Sequence, residues 1–145
     1  MIREYRPADG QDFIDLYIAS NTTGQDYLSP QFWHDDAQTV VNNYLPQTQT
    51  WLYQAKDKIV GAISLLDDEV AGLFVAPSHW RSGVGTALMG YVKQGRSALY
   101  LRVFQQNVRA ITFYQKQGFT IAKAGPCALT GLAEYEMCWA DSNKE

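Results

Sequence analysis

The sequence predicts a mixed α/β fold, because short runs rich in β-forming residues alternate with segments of helical periodicity along the chain. In the first half, "TWLYQA" and "IVGAISLL" flank the turn-forming "KDK" and predict an antiparallel hairpin with its turn at Asp57. In the second half, the order strand, helix, strand predicts a crossover between parallel strands. The two patterns together predict a mixed sheet.

Composition limits the class of protein before any motif does. The chain has 145 residues, of which 46% are hydrophobic and 19% charged, so we expect one globular domain over residues 1–145. A formal net charge of −3 argues against a surface built for nucleic acid or an anionic membrane. The N-terminus has no apolar run of signal-peptide length. We therefore expect a cytoplasmic protein with no nucleic-acid and no membrane partner.

The first half begins with a strand near residues 2–5 and continues into two helices. Asp9 is a candidate cap for the first helix, which we expect to end before the polar segment "SNTTGQ". Its apolar face is formed by Phe13, Ile14, Tyr17 and Ile18. The second helix begins with Ser29 as N-cap and Pro30 at the first helical position. Its apolar stripe is Trp33, Ala37, Val40, Val41, Tyr44 and Leu45.

The second half supplies the remaining strands and helices. The strand "EVAGLFVAP" ends at Pro77 and is followed by a glycine-flanked helix. The apolar positions of that helix are Val84, Ala87, Leu88, Tyr91 and Val92. A strand over 98–104 then precedes a helix over 107–117, which Gly118 closes in a left-handed conformation, and two final strands near 119–124 and 134–139.

Cysteine and histidine give no sign of a metal site. Cys127 and Cys138 have neither a CxxC partner nor a neighbouring histidine, so we expect both to be buried free thiols. With only two histidines in the chain, we expect no bound metal.

The stretch "HWRSGVGTALM" places Gly83 and Gly85 where the third helix begins. The first-turn N–H groups of a helix lack intrahelical partners, and the helix dipole adds about half a positive charge there. Because glycine lets an anion approach the backbone closely, the pair predicts either a phosphate cradle or simply a tight turn. The stretch lacks the lysine of a Walker loop and the third glycine of a Rossmann fingerprint.

A second segment, "NVRAITFYQKQGF", favours the phosphate cradle. Together with "LFVAPSHWRSGVGTALM" it resembles the GNAT superfamily of acyl-CoA-dependent N-acyltransferases. The family signature is a strand, a proline, an R/Q-x-x-G-x-G/A loop that opens a helix, and a later NxxAxxFYxxxGF segment. The N-terminal elements, the hairpin and Gly61 also match the family order. One departure is visible, because Trp80 stands at the usual arginine or glutamine and Arg81 comes one residue late.

The resemblance implies a GNAT fold: a mixed six- to seven-stranded sheet flanked by about four helices, with splayed strands that form a CoA cleft. It also implies acetyl-CoA as co-substrate. The pantetheine arm is then expected on the backbone of Leu73, Phe74 and Val75, beside a bulge that Gly72 fits, with Asn107 as a pantetheine ligand, a helix cap or both. The pyrophosphate is expected on the backbone of Arg81, Ser82, Gly83, Val84, Gly85 and Thr86.

Acetyl transfer to an amine needs a base, because a lysine-like amine with a pKa of about 10.4 is almost fully protonated at neutral pH. The resemblance implies the N–H of Val75 as ligand of the thioester oxygen and Tyr114 as general acid to the CoA sulfur. Some relatives carry a glutamate five residues before the motif asparagine, where this chain has Arg102. We rank Glu69 first among the candidate bases. Arg102 either recruits a substrate carboxylate or neutralises an acidic neighbour.

The acceptor is expected between the first two helices and the loop before the last strand, as the resemblance implies. Tyr27, Phe32 and Trp33 would form an aromatic wall there, with Arg102 nearby. Acidic residues that suit a cationic amine are Asp26, Asp35, Asp36 and Glu134. The alternative is that the aromatic residues belong to the core and the acids to the surface.

We therefore expect an N-acetyltransferase that acts on a primary amine of a protein lysine, a protein N-terminus or a small metabolite. The chain is similar in length and layout to small bacterial protein-lysine acetyltransferases. Two alternatives are a non-catalytic acyl-CoA sensor and a toxin that acetylates aminoacyl-tRNA, the latter requiring a basic face. The sequence is compatible with a monomer or a homodimer.

Overall fold

The computed structural model describes residues 1–141, so the last four residues of the expected domain lie outside it. The strands are β1 (Ile2–Glu4), β2 (Gln49–Ala55), β3 (Lys58–Leu66), β4 (Glu69–Val75), β5 (Ala98–Phe104), β6 (Thr120–Pro126) and β7 (Ala133–Ala140). The helices are α1 (Gly10–Gly24), α2 (Pro30–Thr39), α3 (Val84–Lys93) and α4 (Val108–Lys116). Among the described residues, no helix has the length and apolar character needed to cross a bilayer.

The seven strands form one sheet in the order β1-β2-β3-β4-β5-β7-β6, which confirms the mixed α/β prediction. All neighbouring strands are antiparallel except β4 and β5. That parallel pair is short, since it joins only Glu69 to Tyr100 and Val70 to Leu101. Beyond Val70 the two strands separate and leave the predicted wedge between them. The expected bulge is also present, one residue before Gly72: the register of β3 and β4 skips Ala71.

Helices cover both faces of the sheet. On one face, α3 and α4 pack over a core that contains Val84, Leu88 and Tyr114. On the other face, α1 and α2 enclose a second core around Phe13 and Trp33. The wedge between β4 and β5 therefore opens between two helical layers.

Helix α1 is longer than predicted, because it continues through the polar segment to Gly24. The amide of Asn21 donates to the carbonyl of Tyr17 at 3.0 Å, and the hydroxyl of Thr22 donates to the carbonyl of Ile18 at 2.7 Å. In these bonds the polar side chains donate to backbone carbonyls of the preceding turn, so Asn21 and Thr22 can be part of the helix.

Helix α2 begins as predicted, with the N–H of Phe32 donating to Ser29 Oγ at 3.1 Å. After Thr39 the chain forms a π-helical turn, Val40–Tyr44. This change of period turns Tyr44 outward, and its exposed fraction is 56%, so its assignment to the apolar stripe was wrong. In α3, Met89 is fully buried, whereas Tyr91 is exposed, contrary to the predicted stripe.

The predicted burial of the two cysteines was also wrong. Cys127 and Cys138 are free thiols, but each is only half-buried. Cys127 follows β6, which is exposed along its whole length at the edge of the sheet. The edge therefore does not enclose Cys127.

Asp9 precedes α1, but its side chain does not cap that helix. Its carboxylate instead accepts from the N–H of Arg6 at 2.8 Å and from the guanidinium of Arg3 at 2.8 and 2.9 Å. Chiefly because of the Arg3 hydrogen bonds, the pKa of Asp9 falls from 3.8 to about 2. The contacts tie β1 to the turn that leads into α1.

We expect Asp9→Asn to lower the free energy of unfolding by about 2 kcal/mol at neutral pH, the value that corresponds to the pKa shift. Because the pKa of Asp9 is lower in the folded than in the unfolded state, the stabilisation is complete above about pH 4 and is lost as the pH falls to about 2. Urea unfolding of both proteins at several pH values measures this directly. A difference in stability that persists at about pH 2 would contradict the assignment.

Candidate active site

The wedge between β4 and β5 widens into a cleft of about 1260 Å³. Ligand pockets commonly occupy about 300–1,000 Å³, so this cleft has room for a long ligand and a second reactant. Its lining comes from β4, β5, the start of α3, most of α4 and the facing side of α1 and α2.

The start of α3 forms an open cradle at one end of the cleft. Gly83 precedes the helix with φ of +90°, a conformation that favours glycine, and it has no side chain to cap the first-turn amides. A Cβ added at Gly83 would have no heavy atom within 4 Å, so the space above it is open. Open amides at a helix start fit a phosphate.

The structure places most of the predicted loop residues at this cradle. Those that line the cleft are Arg81, Gly83, Val84, Gly85 and Thr86. Ser82 is the exception, because it does not line the cleft and its hydroxyl donates to the carbonyl of His79.

The backbone of β4 presents open groups to the wedge. The N–H of Ala76 donates to the carbonyl of Val60 on β3 at 2.9 Å. Because successive backbone groups of a strand point to opposite edges, the N–H and C=O groups of Leu73 and Val75 point away from β3 into the wedge. The carbonyl of Val75 is occupied, since it accepts from the indole Nε1–H of Trp80 at 2.9 Å. The N–H of Val75 remains available to a ligand.

Tyr114 lies on α4 with its ring in the core and lines the cleft. Burial raises its pKa to about 12, against an opposing effect of the Arg109 charge. Its hydroxyl has no hydrogen-bond partner within residues 1–141, so it can donate a proton to a ligand. Asn107 Oδ1 accepts from the N–H of Ala110 at 3.2 Å, which gives Asn107 the helix-capping role while it lines the cleft.

Glu69 and Arg102 form an ion pair in the cleft. Nε and Nη2 of Arg102 donate to the same oxygen, Glu69 Oε2, at 3.1 and 2.9 Å. Of the two roles open to Arg102, the structure favours neutralising an acidic neighbour. Glu69 Oε1 makes no hydrogen bond within the described part of the chain.

The acceptor half differs in part from the predicted aromatic wall. Trp33 lines the cleft but is 4% exposed, and its Nε1–H donates to the carbonyl of Gln25 at 3.2 Å. Tyr27 is not among the described residues that line the cleft; its ring packs edge-on against Phe104, with centroids 5.8 Å apart. Its hydroxyl donates to Gln25 Oε1 at 2.6 Å. Trp33 and Tyr27 therefore serve mainly to pack the protein, as in the alternative that assigned these aromatic residues to the core.

Sequence reasoning missed two features of the cleft. Tyr17, assigned only to a core stripe, donates from its hydroxyl to the carboxylate of Asp36 inside the cleft. Burial raises the pKa of Tyr17, so it remains a donor. The other is the stack of Arg109 on Trp80. No spacing rule relates these pairs, since each joins separate elements.

Charge divides the cleft into two halves. The cationic side chains that line it near the cradle and α4 are Arg81, Arg109 and Lys116. The acidic side chains that line it elsewhere are Asp36, Glu69 and Glu134, of which Glu69 is paired with Arg102. Asp26 and Asp35, also expected at the acceptor site, are not among the described lining residues.

A glycine-opened helix at the end of a splayed strand, with a protonated tyrosine facing the same wedge, is the arrangement that the resemblance to acyl-CoA-dependent N-acyltransferases implies. The family model described as Acetyltransferase (GNAT) family matches residues 11–119. The chain therefore belongs to the GNAT family and is an N-acetyltransferase.

Relatives with curated names support this assignment. The chain is 36% identical over 140 residues to the peptidyl-lysine N-acetyltransferase YiaC of Escherichia coli (strain K12), with 96% of each chain covered. It is 27% identical over 121 residues to the peptidyl-lysine N-acetyltransferase YjaB of the same organism, covering 83% of this chain and 82% of YjaB.

Solved structures show the same fold. The solution structure of apo-form YjaB from Escherichia coli superposes with a TM-score of 0.83 at 24% identity, covering 96% of both chains. The crystal structure of the PaiA N-acetyltransferase from Thermoplasma acidophilum in complex with coenzyme A gives a TM-score of 0.81 at 16% identity, covering 97% of this chain and 98% of that one.

Proposed function

We propose that the protein transfers an acetyl group from acetyl-CoA to the side-chain amine of a lysine in a peptide or protein. The observation that carries this proposal is the division of charge in the cleft. A diphosphate fits the cationic half with its open amides, and a lysine ammonium fits the acidic half. The names of YiaC and YjaB support lysine as the acceptor.

Three groups of the cleft support acetyl-CoA as the ligand. The open space above Gly83 admits a phosphate to the amides of α3. The backbone of Leu73, which points away from β3 into the wedge, can hold the pantetheine arm as an added strand along β4. The side-chain amide of Asn107 adds a donor, because its capping bond uses only Oδ1.

The chemistry needs a neutral amine. Removing the proton from a lysine with a pKa of about 10.4 costs roughly 4.6 kcal/mol at pH 7. Glu69 is the proposed base, acting directly or through water, because Arg102 holds Oε2 and leaves Oε1 to accept the proton. Arg102 is then a positioning residue that fixes the carboxylate at the wall of the cleft.

The amine nitrogen forms its bond to the thioester carbon, and the carbon–sulfur bond breaks. The N–H of Val75 stabilises the charge that develops on the carbonyl oxygen, since a fixed amide needs no reorganisation during attack. Tyr114 donates its proton to the departing sulfur. Desolvation in the cleft raises the pKa of the thiol that forms, which favours its protonation by Tyr114.

Thiol release from acetyl-CoA, measured with a panel of amines, tests the proposal. We expect release with an N-terminally acetylated lysine peptide and none with its Lys-to-Arg counterpart. A lysine-free peptide with a free N-terminus, spermidine and an amino sugar should leave release at the blank. Turnover of only these other amines would contradict lysine as acceptor, and binding of acetyl-CoA without turnover of any amine would favour a sensor.

Glu69→Gln tests the proposed base in the same assay. We expect kcat at pH 7 to fall by about tenfold or more, because general-base assistance is lost. The loss should shrink as the pH approaches 10, where the lysine amine becomes neutral without help. Asp68→Asn is the matched control, since Asp68 is an exposed neighbour paired with Arg96. A constant loss from pH 7 to pH 10 would count against Glu69 as the base.

A further inference from the structure

Trp80 stands where the family loop usually begins with arginine or glutamine, and the structure gives it a defined place. Its Nε1–H bond to the carbonyl of Val75 fixes the indole against the end of β4. Trp80 precedes Gly83 by three residues, and three extended residues span at most about 11 Å. The indole therefore belongs to the same short loop as the amides that open α3, and both line the cleft.

The guanidinium of Arg109 lies over this indole. Its Cζ is 3.8 Å from the ring centroid, within the range of a cation–π contact. Arg109 belongs to the first turn of α4, so the contact joins α4 to the loop before α3. Stacking covers one flat face of the guanidinium and leaves the N–H donors along its edge for a planar or bidentate partner.

No carboxylate of residues 1–141 pairs with Arg109. Arg3, Arg96 and Arg102, by contrast, each contact an aspartate or a glutamate. Although the side chain of Arg109 is exposed, packing of its head group lowers its pKa through desolvation. A cation that has lost part of its hydration is stabilised by a bound anion. Arg109 thus presents a charge to the cleft with no carboxylate beside it.

The side chain of Arg109 also reaches across the mouth of the cleft. A Cβ added at Gly24 would lie 2.7 Å from Nη2 of Arg109. Gly24 ends α1, which packs on one face of the sheet, whereas α4 packs on the other. The guanidinium therefore bridges the two helical layers at the level where β4 ends.

We propose that Arg109, held flat on Trp80, binds the diphosphate of acetyl-CoA together with the first-turn amides of α3. Arginine is suited to this role because its fork of donors matches phosphate oxygens. The pair accounts for the departure at Trp80: Arg109 on α4 supplies a charge in addition to that of Arg81 in the loop, and the tryptophan positions Arg109. This inference depends on the proposed function only in taking acetyl-CoA as the ligand.

Equilibrium binding of CoA, 3′-dephospho-CoA and pantetheine to Arg109→Met tests the proposal without any acceptor. We expect the Kd for CoA to rise by about tenfold to a hundredfold, the range for a charge-assisted hydrogen bond. The rise should be the same for 3′-dephospho-CoA and absent for pantetheine, which has no diphosphate. The difference should shrink with added salt. Arg96→Met, at an arginine outside the cleft, should leave all three constants unchanged.

Three outcomes would overturn the assignment. An equal loss for CoA and pantetheine means that Arg109 only shapes the cleft. A loss seen with CoA but not with 3′-dephospho-CoA assigns Arg109 to the 3′-phosphate. No loss means that it binds neither. Arg109→Lys serves if the methionine variant does not fold, because it keeps the charge but loses the fork.

Trp80→Leu tests the positioning role. It should raise the Kd for CoA with the same selectivity over pantetheine, and the double variant with Arg109→Met should lose less than the product of the single effects. Independent, multiplicative effects would contradict a stacked pair. Because none of these measurements uses an amine, failure of the lysine proposal would leave them intact.

Discussion

Tyr114→Phe is expected to lower kcat for acetyl transfer by about tenfold to a hundredfold while the Kd for CoA stays unchanged. A general acid typically contributes 10²- to 10⁴-fold, and we expect an effect at or below the lower end of that range because a thiolate is a fair leaving group. The hydroxyl has no partner among the described residues, so its removal leaves no other group unsatisfied. The rate of thiol release from acetyl-CoA with a lysine peptide measures the effect.

The pH profile separates this role from a structural one. Burial raises the pKa of Tyr114 to about 12, so the hydroxyl stays protonated in the wild-type protein up to about pH 10. The ratio of wild-type to Tyr114→Phe activity should therefore be constant from about pH 7 to about pH 10. Tyr91→Phe, an exposed tyrosine on α3, is the matched control. A ratio that collapses near pH 8 would mean that Tyr114 ionises there and is not a proton donor.

Local sequence rules predicted the strands and helices well, because the signals they use extend over only a few residues. Examples are the apolar periodicity, the helix start at Ser29 and Pro30, and the helix end at Gly118. Gly118 has φ of +95°, as its place after α4 predicts. The rules failed where side chains bond back onto the backbone. Asn21 and Thr22 look like loop residues from composition alone, but their bonds to the preceding turn extend α1.

The sequence predicted the candidate site in outline, because some parts of the site require particular residues at fixed spacings. The glycines of the cradle and the tyrosine of α4 stand at fixed spacings. The ion pair of Glu69 with Arg102 and the stack of Arg109 on Trp80 have no such signature. Each joins residues far apart in the chain, so only the sheet order and helix placement bring them together.

Gly61→Val is expected to lower the free energy of unfolding by about 3 kcal/mol, the upper part of the range for overpacking a core. Gly61 lies on β3 directly beneath α3. A Cβ added there would lie 2.6 Å from Cγ1 of Val84 and 3.0 Å from Cδ1 of Leu88. Val84 is β-branched and has little rotamer freedom, so α3 must move away from the sheet. Urea unfolding of the variant measures the loss.

The same substitution links packing to ligand binding, because Val84 is the first residue of α3 and its amide belongs to the cradle. We expect the Kd for CoA to rise with the loss of stability in Gly61→Ala, which folds more readily than the valine variant. Adding Val84→Ala removes the clash, so the double variant should recover part of both losses. Gly90→Ala is the matched control: its added Cβ would have no neighbour within 4 Å. If Gly61→Ala is as harmless as Gly90→Ala, the contact between β3 and α3 does not set the position of the cradle.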